Sequence, residues 1–433
     1  MSGCRPQTWG MNRYRDLLSK RDFALLWGGA TVSAFGDGMS FVALIWLLLE
    51  RGGTPAEVGW LAAVYTAPVV VGGIAAGVIL DRFDPTRVIA ADNIVRGVAI
   101  ASVPIASALG FLTTAQLFVV AAIYGLLYMT SAAGIPSLIP RLVEAGDLTT
   151  ANALESISYG IAGLVGPTIA GVVIALLGAP FVLALDAVTY GVFVVCLLAM
   201  ARQGRGSLEG VPAVSAGDPG SPAAAAAAGV KGSGGIGPAF WFIVGAPAIV
   251  AITVMYMSLN LGTGIMTVVI PLYARDVLGG GSETFGLLLS VWTAGELVGL
   301  LAVGAIAWRW PLGRSIAGAC LVSGIILSLW LLRPPLLALA AILAATGVVS
   351  SSLTPWAQTI RMRLIPPQLR GRVFALLRTL MQSTRPVGAI VAGLLLAGGD
   401  LTLALAATAL LVVVPGAIGL WLPALGRGPT AEP

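Results

Sequence analysis

Gly77-Val-Ile-Leu-Asp81-Arg82-Phe-Asp84-Pro85-Thr-Arg87 separates two long apolar runs, residues 57–80 and 88–109. Acids and bases crowd at the point where one run ends and the next begins. A helix needs about 20 apolar residues to cross the hydrocarbon of a bilayer. The stretch therefore marks where one helix leaves a membrane and the next re-enters. The rest of the chain agrees: of its 433 residues, 58% are hydrophobic and only 10% charged, against about 25% charged in soluble domains. The runs are Leu/Ala/Gly/Val blocks of helix length without strand alternation, which predicts a helical bundle rather than a barrel.

Working outward in both directions, apolar segments fall at 23–49, 57–80, 88–109, 114–138, 151–177 and 180–201, and again at 241–273, 284–307, 314–333, 335–360, 372–397 and 401–423. Between the two sets lies a Gly-, Ala-, Pro- and Ser-rich stretch with the composition of a flexible linker. The expected organisation is a tail (1–22), a six-helix half (23–201), a linker (202–239), a second six-helix half (240–423) and a short tail (424–433). With the N-terminus in the cytoplasm, only Arg51, Arg275 and Arg333 fall in outside loops. That asymmetry predicts that both termini are cytoplasmic, in a bacterial inner membrane. Shifting the second half back by about 227 positions lays Gly304, Arg309 and Arg314 on Gly77, Arg82 and Arg87, with Trp308 in place of Asp81. Two duplicated six-helix halves are a transporter architecture, with substrate bound near the midplane between them.

Composition also excludes chemistry. The chain has no histidine and three isolated cysteines, which removes the commonest general base and any metal-ligand spacing. No nucleophile motif and no phosphate loop occur. No catalytic residue, cofactor or metal is expected, and the chain is not expected to be an enzyme. The net charge of +5 lies in short loops rather than in a basic stripe, so no nucleic-acid partner is expected. The expected partners are a small-molecule substrate, protons and the lipid bilayer, with the protein acting as a monomer.

The Gly77–Arg87 stretch resembles the loop between helices two and three of the major facilitator superfamily, with Gly77, Asp81, Arg82 and Arg87 filling the family pattern. The resemblance implies that this loop latches a cytoplasmic gate against helix eleven, whose start carries Arg370 and Arg372. Gly160, Gly163, Gly166, Pro167 and Gly171 in the fifth segment resemble the helix-five motif of members that export by antiport. Small residues three and four apart let helices approach closely. The chain as a whole resembles the drug:proton antiporter branch that includes macrolide and enterobactin exporters. It does so through Ser33-x-x-Gly36-Asp37-Gly38, through Ile135-Pro136-x-Leu138-x-Pro140 before Leu148-x-x-Ala151-Asn152-Ala153, and through Arg370-Gly371-Arg372-Val373-Phe374. The fold so implied is all-α, twelve transmembrane helices in two pseudo-symmetric halves. In one respect the chain departs: many such antiporters carry an arginine in helix four, and residues 116–138 hold none.

A charge at the bilayer midplane costs roughly 3 kcal/mol on insertion scales, so each intramembrane charge must pair, face water or be neutral. Asp37, between two glycines, is the first candidate for proton binding, with Glu296 and Glu155 as further candidates. Arg385 and Arg378, seven apart on one helix face, are expected in the cavity, and Glu296 is expected either to carry charge or to neutralise Arg385. Asp92 and Arg96, four apart, are expected to pair and, with Asp186, to be structural. Tyr65, Tyr124, Tyr128, Tyr256, Trp292 and Trp356 are candidates for an apolar substrate cavity or for plain packing. The expected function is proton-coupled efflux of an amphipathic small molecule by alternating access. The alternative is a nutrient importer of the same fold.

Overall fold

The computed structural model describes residues 11–203, 237–305, 310–366 and 368–426. Most of the expected linker, 204–236, and Trp308 and Arg309 of the second loop copy lie outside the described residues. Among the described residues, twelve helices are long and apolar enough to span a membrane. They are α1 (Arg21–Glu50), α2 (Pro55–Arg82), α3 (Pro85–Ala108), α4 (Thr114–Leu142), α5 (Leu148–Leu177) and α6 (Ala179–Ala201), then α7 (Pro247–Asp276), α8 (Ser282–Val303), α9 (Leu312–Leu332), α10 (Leu336–Leu364), α11 (Arg370–Ala397) and α12 (Leu401–Trp421).

The turns are built from local chemistry. Thr54 and Glu57 form a reciprocal capping box at the start of α2, and Pro55 follows where its missing N–H costs nothing. Asp84 caps α3 by accepting the Arg87 amide at 3.1 Å, so one acid of the 77–87 stretch serves as a helix cap. Two prolines reset helices that the hydropathy pattern reads as continuous. α2 is interrupted at Ala67 ahead of Pro68. The run 241–273 divides into a short helix, Gly237–Val244, and α7, which begins at Pro247. Proline cannot donate to the preceding turn.

The duplication is visible in the packing. Within the first half α1 packs on α5 and α6, α2 on α4, and α3 on α4 and α6; within the second, α7 packs on α11 and α12, α8 on α10, and α9 on α10 and α12. The halves meet through α2 against α11 and α8 against α5, again a related pair. Glycines repeat at the sequence interval. A Cβ on Gly59 would lie 2.5 Å from the Ala389 carbonyl oxygen, and one on Gly286 would lie 2.1 Å from that of Pro167. Gly72 meets Leu126 in the same way that Gly299 meets Val348, and Gly125 meets the Tyr65 backbone as Gly347 meets that of Trp292. Gly59 and Gly286, Gly72 and Gly299, and Tyr65 and Trp292 each differ by the same interval of about 227 positions.

The seam between halves is tight at the end away from the termini and loosens toward them. On α5, a Cβ at Gly171 would fall 2.4 Å from the Ser282 carbonyl oxygen, whereas at Gly163 it would be 3.8 Å from Thr293 and at Gly160 3.6 Å from Leu297. Ser282 donates to the Gly171 carbonyl at 2.8 Å, and Thr168 donates its hydroxyl to Ser290 at 2.7 Å. The main buried core draws on both halves. Two further cores belong to one half each, one around Phe23, Ile139 and Phe193, the other around Ile243, Val373 and Leu377. The halves thus pack tightly on the far side and more loosely on the terminal side.

Overpacking a tight contact typically costs about 1–3 kcal/mol. Gly286→Val should therefore lower the thermal midpoint of the detergent-solubilised protein by several degrees. Gly77→Val, at a position with no atom within 4 Å of a Cβ, should leave it unchanged. Thermal-shift fluorescence of the two variants checks both.

Candidate functional site

The polar residues of the first half converge on one guanidinium. Arg96, on α3, donates to Asp92 Oδ2 at 2.7 Å, to Ser131 Oγ of α4 at 2.9 Å and to Tyr190 Oη of α6 at 3.2 Å. It reaches Asp37 Oδ1 of α1 at 3.4 Å. Ser131 in turn donates to Asp92 at 2.7 Å, and Tyr190 donates to Asp37. Four helices are tied together by this cluster. The expected Asp92–Arg96 pair is present, and it is not separate from Asp37. The same guanidinium serves both carboxylates. Arg96 and Asp92 side chains are 1% and 2% exposed, whereas Asp37 retains 17%. Asp37 is the member of the ion-paired trio that solvent reaches.

Asp186 lies beside the cluster. Its carboxylate accepts from Ser40 of α1 and, at 3.0 Å, from Thr189. Gly36 makes room for it, since a Cβ there would stand 2.0 Å from Asp186 Oδ1. Asp37 and Asp92 thus share one arginine in the interior of the half, with Asp186 held nearby by hydroxyls. With three carboxyl groups and one guanidinium, full ionisation would leave net negative charge in a dry interior, which is expensive.

Aromatic rings roof the cluster. Tyr65 and Tyr124 stack with centroids 4.3 Å apart, Tyr128 follows at 6.0 Å, and Phe41 meets Tyr65 edge-on at 5.1 Å. The Arg96 guanidinium carbon stands 4.7 Å from the Tyr190 ring centre and 5.8 Å from that of Tyr124. Cations held over ring faces at this range are attracted by the ring quadrupole. Residues 116–138 of helix four hold no arginine, its Arg141 lying in the last turn, yet a guanidinium from helix three lies over its Tyr124.

On the facing half, Arg385 is exposed, while Arg378 and Glu296 are half-buried. Glu296 and Arg385 act electrostatically on each other, and both arginines act on Tyr128 across the gap between halves. Trp292, the positional counterpart of Tyr65, is half-buried beside Glu296, but Trp356 is buried in the core and offers no cavity wall. Arg361 of α10 is 3% exposed and packs over the Tyr256 ring, 5.5 Å from its centre. Glu155 lies on α5 away from the cluster, in a cleft shared with α1 and α4.

The helix-five glycines sit at the helix crossings. Gly166 meets Gly38 and Met39 of α1, and Gly171 and Pro167 meet α8. In the 77–87 stretch, Asp81, Arg82 and Arg87 are exposed at the looser end. A Cβ on Gly77 would meet nothing within 4 Å; the close contact on α2 is made by Gly72, whose Cβ would fall 1.9 Å from the Leu126 carbonyl oxygen. The sequence reading left out Tyr190 and Ser131. Tyr190 carried a signal, lying four residues after Asp186 on one face of its helix. Ser131 carried none, because its partners lie on another helix.

Solved transporters share this architecture. A mutant of the nucleoside transporter NupG superposes with a TM-score of 0.71 at 12% identity, over 92% of this chain and 99% of that one. An inward-facing bacterial homologue of the iron transporter ferroportin superposes with a TM-score of 0.71 at 16% identity, over 92% and 98%. Residues 16–210 match the family described as transmembrane secretion effector. The chain has the major facilitator fold. It is 26% identical over 409 residues to the multidrug efflux pump Tap of Mycobacterium tuberculosis, covering 91% of each chain. It is likewise 26% identical to y4rN of Sinorhizobium fredii, an uncharacterized MFS-type transporter, over 88% of this chain and 90% of that one.

Removing one partner of a buried ion pair typically costs about 3–5 kcal/mol, because the other charge is left unpaired. Arg96→Gln should therefore destabilise the protein markedly, and adding Asp92→Asn to it should recover part of the loss. Denaturant or thermal unfolding of the single and double variants measures the coupling.

Proposed function

We propose that this transporter exports amphipathic small molecules of the drug, macrolide or siderophore type in exchange for protons, by alternating access. Working as a monomer in a bacterial inner membrane, it keeps both termini in the cytoplasm. The observation that carries this view is Asp37. It is the ion-paired carboxylate that water reaches, and it shares its guanidinium with a buried partner, Asp92. When Asp37 takes up a proton, Arg96 is left to Asp92. When Asp37 loses it, Arg96 again bridges the two. The exchange needs no histidine and no arginine within residues 116–138 of helix four. Further support comes from the similarity to multidrug efflux pumps along nearly the whole chain.

The two-sided seam supports alternating access. With cytoplasmic termini, the looser end faces the cytoplasm and admits substrate, and closing it parts the α5–α8 and α2–α11 contacts at the far end. Asp81, Arg82 and Arg87 stand at the looser rim, as do Arg370 and Arg372 at the start of α11. Their approach is the latch of the closed state. The exposed Arg385 and half-buried Arg378, Glu296, Trp292 and Tyr128 form the walls that substrate meets.

In inside-out vesicles, Asp37→Asn should abolish efflux driven by a pH gradient while substrate binding persists. Retained pH-driven efflux would remove Asp37 as the proton site. Asp81→Asn should instead slow turnover severalfold with substrate affinity preserved, and measurements of affinity and turnover on one preparation separate the two effects.

A further inference from the structure

The two cores that belong to one half each are built to one plan. Leu17 and Phe23 of the first stand where Ile243 and Ile249 stand in the second, about 226 positions on. Val143 and Ala151 likewise stand where Ile365 and Val373 do, about 222 positions on. Leu17 and Ile243 come from short helices, Met11–Ser19 and Gly237–Val244, which precede α1 and α7. The first packs on α1 and α5, the second on α7 and α11. Each therefore clasps the first and fifth spans of its own half. In the first half an ion pair reinforces the clasp, Lys20 Nζ to Asp147 at 3.0 Å. At the matching places the second half has the apolar Ala246 and Leu369. The duplicated unit is thus a short helix followed by six spans.

The outer faces of the short helices repeat as well. Tyr14 and Leu18 are exposed beside the buried Leu17, and Phe240 and Val244 are exposed at the matching places. Exposed Arg15 is matched by Trp241, which is 70% exposed and meets Phe240 edge-on at 5.7 Å. Residues four apart share one side of a helix, so each helix turns an aromatic–aliphatic pair outward. Lengths indicate what covers it. α1 and α7 have 30 residues each, about 45 Å of helix. That matches a bilayer with its headgroups, about 40–45 Å, rather than its hydrocarbon of about 30 Å. The short helices therefore lie at headgroup level. Further exposed rings mark this level at the terminal ends of other spans: Phe83 after α2, Trp310 before α9 and Trp421 closing α12. Aromatic rings gather at the boundary between membrane and water. We propose that Tyr14 with Leu18, and Phe240 with Trp241 and Val244, seat in the phospholipid headgroup layer of the leaflet on the terminal side, as two matched interfacial anchors. They fix the depth at which α5 and α11, one partner in each seam between halves, enter the membrane. The second anchor, with Trp241 in place of Arg15, seats deeper. The anchoring holds whatever the cargo and its driving force.

The test puts a bimane label at Val244→Cys in the full-length protein carrying Cys4→Ser, Cys196→Ala and Cys320→Ala, reconstituted in phosphatidylcholine vesicles. A nitroxide on the lipid headgroup should quench the label roughly twofold or more above the same nitroxide at mid-chain or dissolved in water. A label at Leu18→Cys should follow the same order with a larger share from water. Adding Phe240→Ser and Trp241→Ser should cut headgroup quenching at Val244→Cys by about half or more. Stronger quenching from water, or from mid-chain, would overturn the headgroup seat. A label that no quencher reaches would overturn it too, showing the face covered by protein, whether residues 204–236 or a second copy. Should the labelled variants fail to fold, the wild type decides. In vesicles holding a lipid with a headgroup diazirine, photolysis should crosslink the peptide that contains Phe240–Val244. Crosslinks confined to other peptides would remove the proposal.

Discussion

The cost of charge in hydrocarbon governs the interior of this molecule. A lone guanidinium or carboxylate at mid-membrane is worth several kcal/mol against folding, and the first half brings four such groups, Asp37, Asp92, Arg96 and Asp186, together within its spans. It meets the cost by concentration rather than by scattered pairs. One arginine, Arg96, serves oxygens on four helices, and the stacked tyrosines shield it. The same concentration that stabilises the half also makes it responsive. Two carboxylates on one cation, with a third nearby, cannot all be charged without penalty.

The helix seams supply the complementary property. The crossings between halves are made of glycine against backbone, and the hydrogen bonds that join them are a few serine and threonine contacts at one end. Without a hydrophobic drive between helices in lipid, close backbone approach is what holds them. Contacts of this kind separate without unthreading large side chains.

Much of this was legible in the sequence because hydropathy and loop charge are local. Twelve spans, the duplication and the 77–87 loop all follow from runs of residues and their intervals. The spacing of Asp92 and Arg96 correctly announced an ion pair. What the chain order hid was which helices meet. Arg96 reaches Asp37 only because α3, α6 and α1 pack together, and nothing within α3 says so. For the same reason Asp92, Arg96 and Asp186 read as structural outliers, although they surround the proton candidate. Gly77 is the opposite case. It fits a family pattern, yet on α2 the backbone contact falls five residues earlier, at Gly72. A glycine's purpose depends on what crosses it. Breaks at Pro68 and Pro247 were visible as prolines but not as breaks, since both lie inside runs that remain apolar throughout.

The recurrence of Gly59 at Gly286 and of Gly72 at Gly299 has an evolutionary consequence. The crossings were laid down once and copied with the duplication, so the two halves carry interchangeable bearings. The linings have diverged instead: Tyr65 became Trp292 in position, and the carboxylate cluster of the first half has no twin in the second. Selection can thus retune what is carried by altering wall residues, while the joints on which both halves turn stay under a single shared geometric constraint. A change of substrate leaves the machine intact; a methyl group at a crossing does not.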